Sequence, residues 1–127
     1  MAVTRPRSRT LAALALWAPP IALMAVIFAL SAQPDLSSGL GTLDTILRKL
    51  AHMAEYALLV FLWWRPLRTL TTERTAVGLA LAIALAYAAS DELHQSFVDG
   101  RHGTPVDVLI DSVGMVAAAL LLLRRSD

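Results

Sequence analysis

The sequence contains no cysteine. That excludes a disulfide framework, a thiolate-ligated metal site and a thiol nucleophile, and it leaves the redox compartment without a signal. A charge excess of either sign is also missing: 11 basic residues stand against 10 acidic ones, for a formal net charge of +1. A nucleic-acid surface needs a strongly basic balance, so nucleic acid is excluded as a partner. No internal repeat is present, and no low-complexity tract beyond Ala/Leu runs. What the chain has instead is apolar residues, 57% of its 127 positions, with a mean hydropathy of +0.60. A soluble domain averages roughly 45–50% apolar residues. The excess sits in blocks, which points to a lipid bilayer as solvent. The length suits one domain.

Residues 1–10 carry Arg5, Arg7 and Arg9 around Pro6 and read as a disordered basic arm. Leu11 to Leu30 is 20 residues without a charge, and about 20 apolar residues span a hydrocarbon core of ~30 Å. Pro19 and Pro20 in its middle should kink the helix. A cleaved signal peptide is the competing reading, but its apolar core would be about 7–15 residues, shorter than this run. A turn-rich loop follows, Ser31 to Asp44, with Pro34, Gly39 and Gly41 as breakers and Asp44 or Thr45 as a helix cap. The second helix is expected from Ile46 to Trp64, polar at first and apolar later, ending in aromatics suited to an interface. After a basic loop, Arg65 to Arg74, the third span is expected over residues 75–92. Asp91 to Thr104 is a polar loop. Thr104, Pro105 and Asp107 form a helix start of the N-cap, N1 and N3 type, and the fourth span covers residues 105–123.

The basic residues orient these spans. Three arginines precede the first, Arg65, Arg68 and Arg74 lie between the second and third, and Arg124 and Arg125 close the fourth. The loop at 31–44 has no basic residue, and the loop at 91–104 has only Arg101. The positive-inside rule then places both termini in the cytoplasm. The expectation is an all-α membrane protein of about four transmembrane helices, with residues 11–124 as the domain, multi-pass in the cytoplasmic (inner) membrane.

This topology sets the start of helix 2, the end of helix 3 and the start of helix 4 at the extracytoplasmic face. On helix 2, at about 100° per residue, Lys49, His52 and Tyr56 fall within about 60°, and Arg48 and Glu55 widen the stripe to roughly 120°. Asp91, His94 and Gln95 share a face if helix 3 continues, with Glu92 beside them. Asp107 and Asp111 are four residues apart on helix 4, and Ser112 and Gly114 would let another helix approach closely. Ionisable groups inside a span are costly and pair in the bundle interior or a wet cavity. The helix 2 stripe is therefore expected to face the carboxylates of helices 3 and 4, with Ser31 and Gln33 completing the ring. Blander roles compete. Asp107 serves as a helix cap, Arg48 and Lys49 snorkel to headgroups, Tyr56 sits in an aromatic belt, and Asp99 and His102 are solvated.

The residues of this ring resemble a known family. Arg48-Lys49-Leu50-Ala51-His52-Met53-Ala54-Glu55-Tyr56 resembles the K-x-x-H-x-x-E-Y helix start of VanZ-like membrane proteins. The run from Ser90 to Arg101 resembles their S-D-E-x-H-Q-x-F-x-x-G-R segment. Asp107, Asp111 and Gly114 resemble D-x-x-x-[ND]-x-x-G, and Ser31-Ala32-Gln33 resembles S-x-Q. The DE-x-HQ…GR block is the specific part. Where Asp111 stands the family often has Asn. The resemblance implies a membrane location and this site; the family is named for a gene linked to resistance to the glycopeptide teicoplanin.

Three functions fit these residues. The first is a site for an anionic envelope component: a lipid headgroup, a lipid-linked precursor or a glycopeptide. Lys49, His52 and Arg101 would donate to phosphate or carboxylate, and Asp91, Glu92 and His52 would act as acid or base in a hydrolase or transferase. Tyr56, His94, Gln95, Asp107, Asp111, Ser31 and Gln33 complete the binding residues. The second is metal assistance, with Asp91, Glu92, His94, Asp107 and Asp111 offering ligands to Mg²⁺, Mn²⁺ or Zn²⁺. Nothing in their spacing fixes a ligand set, and Lys49 and Arg101 would compete with a cation, so no metal or other cofactor is assigned. The third is non-catalytic: an ion-pair network, or a proton or solute pathway, for which a homo-oligomer would supply the bulk that four helices lack.

Overall fold

The computed structural model describes residues 6–31, 42–97 and 105–126. They form four α-helices: α1 (Pro6–Ser31), α2 (Thr42–Leu67), α3 (Glu73–Gln95) and α4 (Pro105–Ser126). The all-α, four-helix expectation holds. Helix ends lie outside several expected limits. α1 begins at Pro6, within the segment expected as an arm. Proline suits a first helical position, where its fixed φ is helical and its missing N–H would have no partner anyway. α2 begins at Thr42, ahead of the expected caps Asp44 and Thr45. Pro19 and Pro20 both lie inside α1, a position tolerated in apolar helices when neighbouring groups satisfy the freed backbone.

The α2–α3 corner is built from local bonds. Pro66 falls in the last turn of α2, and its carbonyl accepts from the Thr69 N–H at 3.1 Å and from Thr69 Oγ1 at 2.6 Å. Thr72 caps α3, its hydroxyl accepting from the Thr75 N–H at 3.3 Å, and Glu73 opens the helix with negative charge at its positive end. Glu73 also locks the corner. It accepts from Trp64 Nε1 at 2.9 Å and pairs with Arg68 Nε at 3.1 Å, while the Arg68 guanidinium lies over the Trp64 ring at 4.6 Å.

The core lies among α2, α3 and α4. α3 contributes an alanine face, Ala76, Ala80, Ala84 and Ala88, all buried. Small side chains let neighbouring backbones come close. α2 fills the space with Tyr56, Leu59 and Val60, and α4 with Met115, Ala119 and Leu122. α2 packs most extensively on α4. α1 is peripheral: it lies on α2, touches α3 lightly and, among the described residues, does not reach α4. Its C-terminal half is tied to α3 by the Tyr87 hydroxyl, which donates to the Met24 carbonyl, and its N-terminal half to α2 by an edge-on contact of Trp17 with Trp63. Leu11, Leu14, Ile21, Val26, Phe28 and Leu30 remain exposed on it. Two helices are long and apolar enough to cross a membrane among the described residues, Arg9–Leu30 with mean hydropathy 2.2 and Glu73–His94 with 1.5.

Candidate functional site

Helical phase puts acid on the core face of two helices. At about 100° per residue, Ala76 to Ala88 sweep a face of roughly 120° on α3, and Asp91 falls near its centre. On α4, Asp111 falls between Gly114 on one side and Met115 and Leu122 on the other by the same count. Both carboxylates are accordingly buried, at 4% and 6% exposure, and they are the buried charged residues of the described chain. Burial of a carboxylate demands a polar partner, and α2 supplies one to each.

The Tyr56 hydroxyl donates to Asp91 Oδ2 at 3.3 Å, across the α2–α3 interface. One turn toward the start of α2, His52 Nδ1 lies 3.6 Å from Asp111 Oδ1, across the α2–α4 interface. The His52 side chain is 31% exposed while that of Asp111 is 8% exposed, so the imidazole is the member of the pair that reaches the surface. The two α2 rings are nearly parallel, 28° apart, with centroids separated by 6.5 Å. Glu55, half-buried, lies three residues after His52 on the same helix. Arg48 and Lys49, also half-buried, stand a further turn toward the start of the same helix.

The α2–α4 crossing is close because Gly114 has no side chain. A Cβ there would run into the Met53 carbonyl oxygen, with the carbonyl carbon at 2.9 Å and the Met53 Cα at 3.1 Å. The close approach expected at Gly114 is thus made against the backbone next to His52. Ser112, expected to share that role, turns its hydroxyl back to the Leu109 carbonyl at 2.7 Å.

The expected ring is only partly assembled. α2 does face the α3 and α4 carboxylates through Tyr56 and His52. α3 continues through Gln95, yet its polar residues diverge: Asp91 points to α2, while His94 stacks on Phe28 of α1, with centroids 4.4 Å apart and planes at 24°. Glu92 is half-buried on the neighbouring face. Gln33 and Arg101, and the side chains of Ser31, Gln95 and Asp107, lie outside the described residues. Among the described residues no three His, Asp or Glu side chains are grouped to hold a metal ion. An apolar groove lined by Phe61, Ala118, Leu121, Leu122 and Arg125 lies toward the other end of the α2–α4 seam and contains none of the polar cluster.

Residues 7–125 match the family described as VanZ/LLP1. The chain belongs to the VanZ/LLP1 family. The match covers all four helices, well beyond the motifs between Ser31 and Gly114. No curated protein and no solved structure matches the chain. In this VanZ/LLP1 chain the family-like motifs on α2, α3 and α4 supply the two pairs, Tyr56 with Asp91 and His52 with Asp111. Two contributors lay outside the expected site: Tyr87, which anchors α1, and Phe28, which covers His94. Their signal in sequence was only an aromatic inside each apolar run.

Proposed function

We propose that this VanZ/LLP1 chain is a four-span inner-membrane protein whose polar cluster opens at the extracytoplasmic face and binds or modifies an anionic cell-envelope component. A lipid headgroup or a lipid-linked precursor is the favoured ligand class, and a contribution to glycopeptide (teicoplanin-type) resistance is part of the same proposal, suggested by the resemblance to VanZ-like proteins. The observation that carries the reading is the layering of α2. The cations Arg48 and Lys49 form the rim, and His52 and Tyr56 meet buried carboxylates below them. Headgroup anions would be held at the rim, above His52 and Asp91 as acid or base. The four-span placement is supported by the apolar residues exposed on α1, and by α4, where Asp111 is the single charge between Val108 and Leu123. Basic residues at both termini and in the α2–α3 corner support the orientation.

The test is binding to nanodiscs of phosphatidylglycerol against nanodiscs of phosphatidylcholine, with lipid products assayed in the same samples. The reading expects a preference for the anionic lipid that Lys49→Gln weakens. Equal behaviour on both lipids overturns it. Turnover lost in Asp91→Asn would make the protein an enzyme.

A second reading has its own support, since Tyr56 donates to Asp91 and His52 pairs with Asp111 across the helix interfaces. They would then be a network that locks α2 to α3 and α4. His52→Ala would unfold the protein in detergent with no separate loss of lipid preference.

A further inference from the structure

We propose that His52 and Asp111 form an oriented dyad in which Asp111 holds the imidazole proton on Nδ1, Nε2 is the proton acceptor of the outer site, and Gly114 is the residue that sets the spacing of the pair. The inference rests on the outer-site reading for its use, but not for its geometry.

Three observations converge on it. Nδ1 is the imidazole nitrogen that pairs with Asp111, 3.6 Å from Oδ1, an ion-pair distance beyond that of a direct hydrogen bond. A neutral imidazole carries one N–H, and the partner of one nitrogen decides the state of the other. With the proton held at Nδ1 by a carboxylate, the lone pair is on Nε2. The exposure is asymmetric in the same sense: the carboxylate is sealed in the α2–α4 seam and the imidazole is partly open. A buried carboxylate behind a half-open imidazole is how a general base is oriented in known triads. Finally, the seam leaves no slack. Gly114 lies one turn beyond Asp111 and sits against the backbone of Met53, the neighbour of His52, so close that a methyl group cannot be added without moving one helix. Any such movement acts directly on the His52–Asp111 distance.

In a site that modifies a lipid, the dyad performs one balanced step. Nε2 takes a proton from water or from a lipid hydroxyl. That oxygen forms the new bond to the ester carbon or phosphorus, the bond to the leaving oxygen breaks, and the proton passes from Nε2 to the leaving oxygen. Lys49, on the same stripe and one turn outward, would hold the headgroup anion during the step.

The chain has three histidines, His52, His94 and His102, so side-chain nitrogen-15 NMR of the whole protein in nanodiscs reads His52 directly, with His94→Gln and His102→Gln used for assignment. Spectra are compared after titration to neutral imidazole. The proposal expects His52 to carry its proton on Nδ1, the form that imidazole in water disfavours. Asp111→Asn keeps an acceptor oxygen and should keep that form. Asp111→Leu should lose it. Gly114→Ala should lose it as well, while Gly78→Ala, where a Cβ meets nothing within 4 Å, should not. A wild-type proton on Nε2 overturns the dyad, and this result needs no variant to fold. Retention of the Nδ1 proton in a folded Gly114→Ala protein overturns the role of Gly114. Repeating the wild-type spectrum in phosphatidylglycerol and in phosphatidylcholine separates the two readings. Identical Nε2 resonances would sink the anionic-headgroup reading and leave the tautomer result to judge the dyad alone.

Discussion

The hydroxyl of Tyr56 and the carboxylate of Asp91 meet at 3.3 Å across the α2–α3 interface, and both residues are buried. Tyr56 fills core volume with its ring and offers its one donor to the acid that the alanine face of α3 carries inward.

Loss of that donor should therefore cost more than loss of a surface hydrogen bond. Tyr56→Phe keeps the ring and removes the donor, with an expected destabilisation of about 1–2 kcal/mol. Asp91→Asn retains an acceptor oxygen and should cost less. The two changes together should fall short of the sum, with a coupling of at least ~0.5 kcal/mol. Detergent unfolding of the two single variants and the double variant, followed by helical circular dichroism, measures this. Strict additivity would mean that the two groups do not interact.

The two described glycines should respond in opposite ways to the same substitution. Gly114→Ala forces α2 and α4 apart and should destabilise by about 1–3 kcal/mol, as overpacking does. Gly78 is exposed on α3 with open space around it. Gly78→Ala should be neutral or should stabilise by up to ~1 kcal/mol through helix propensity. Unfolding midpoints of the two variants against wild type decide the point.

At the far end of the bundle, Glu73 holds both Trp64 and Arg68. The Arg68 pair is half-exposed and should contribute little. The bond from the Trp64 indole should contribute more, because that ring is 9% exposed. Glu73→Ala is expected to cost about 1 kcal/mol and to shift tryptophan emission as the Trp64 environment loosens. Arg68→Ala should do neither to a comparable extent.

The four helices and the faces they bury are largely written in the sequence. Charge-free runs marked α1 and most of α3. Helical phase grouped Lys49, His52 and Tyr56, and set Asp107 and Asp111 on one side of α4. Phase gives a direction but not a neighbour, however. It could not tell that Tyr56 would meet Asp91 while His52 met Asp111. It also put His94 with Asp91, although about 60° of rotation is enough to send one ring to α1 and the other side chain to α2. The ties of α1 were least legible. The Tyr87 hydroxyl bonds to a backbone carbonyl, Met24, and a backbone acceptor leaves no mark on residue type. The Gly114 contact lies between these cases: small residues announced a close crossing, but only the three-dimensional packing shows that the Met53 backbone fills it.

The central claim is that the polar cluster faces outward, and the absence of cysteine makes it directly measurable. Ser96→Cys places a single thiol in the exposed turn after α3, beside the cluster, and Leu70→Cys places one in the exposed α2–α3 corner. Both would be treated with a membrane-impermeant maleimide in right-side-out membranes. The account predicts that the thiol at position 96 is labelled in intact membranes and the thiol at position 70 only after permeabilisation. Labelling of position 70 but not 96 in intact membranes would put the cluster on the cytoplasmic side and contradict it.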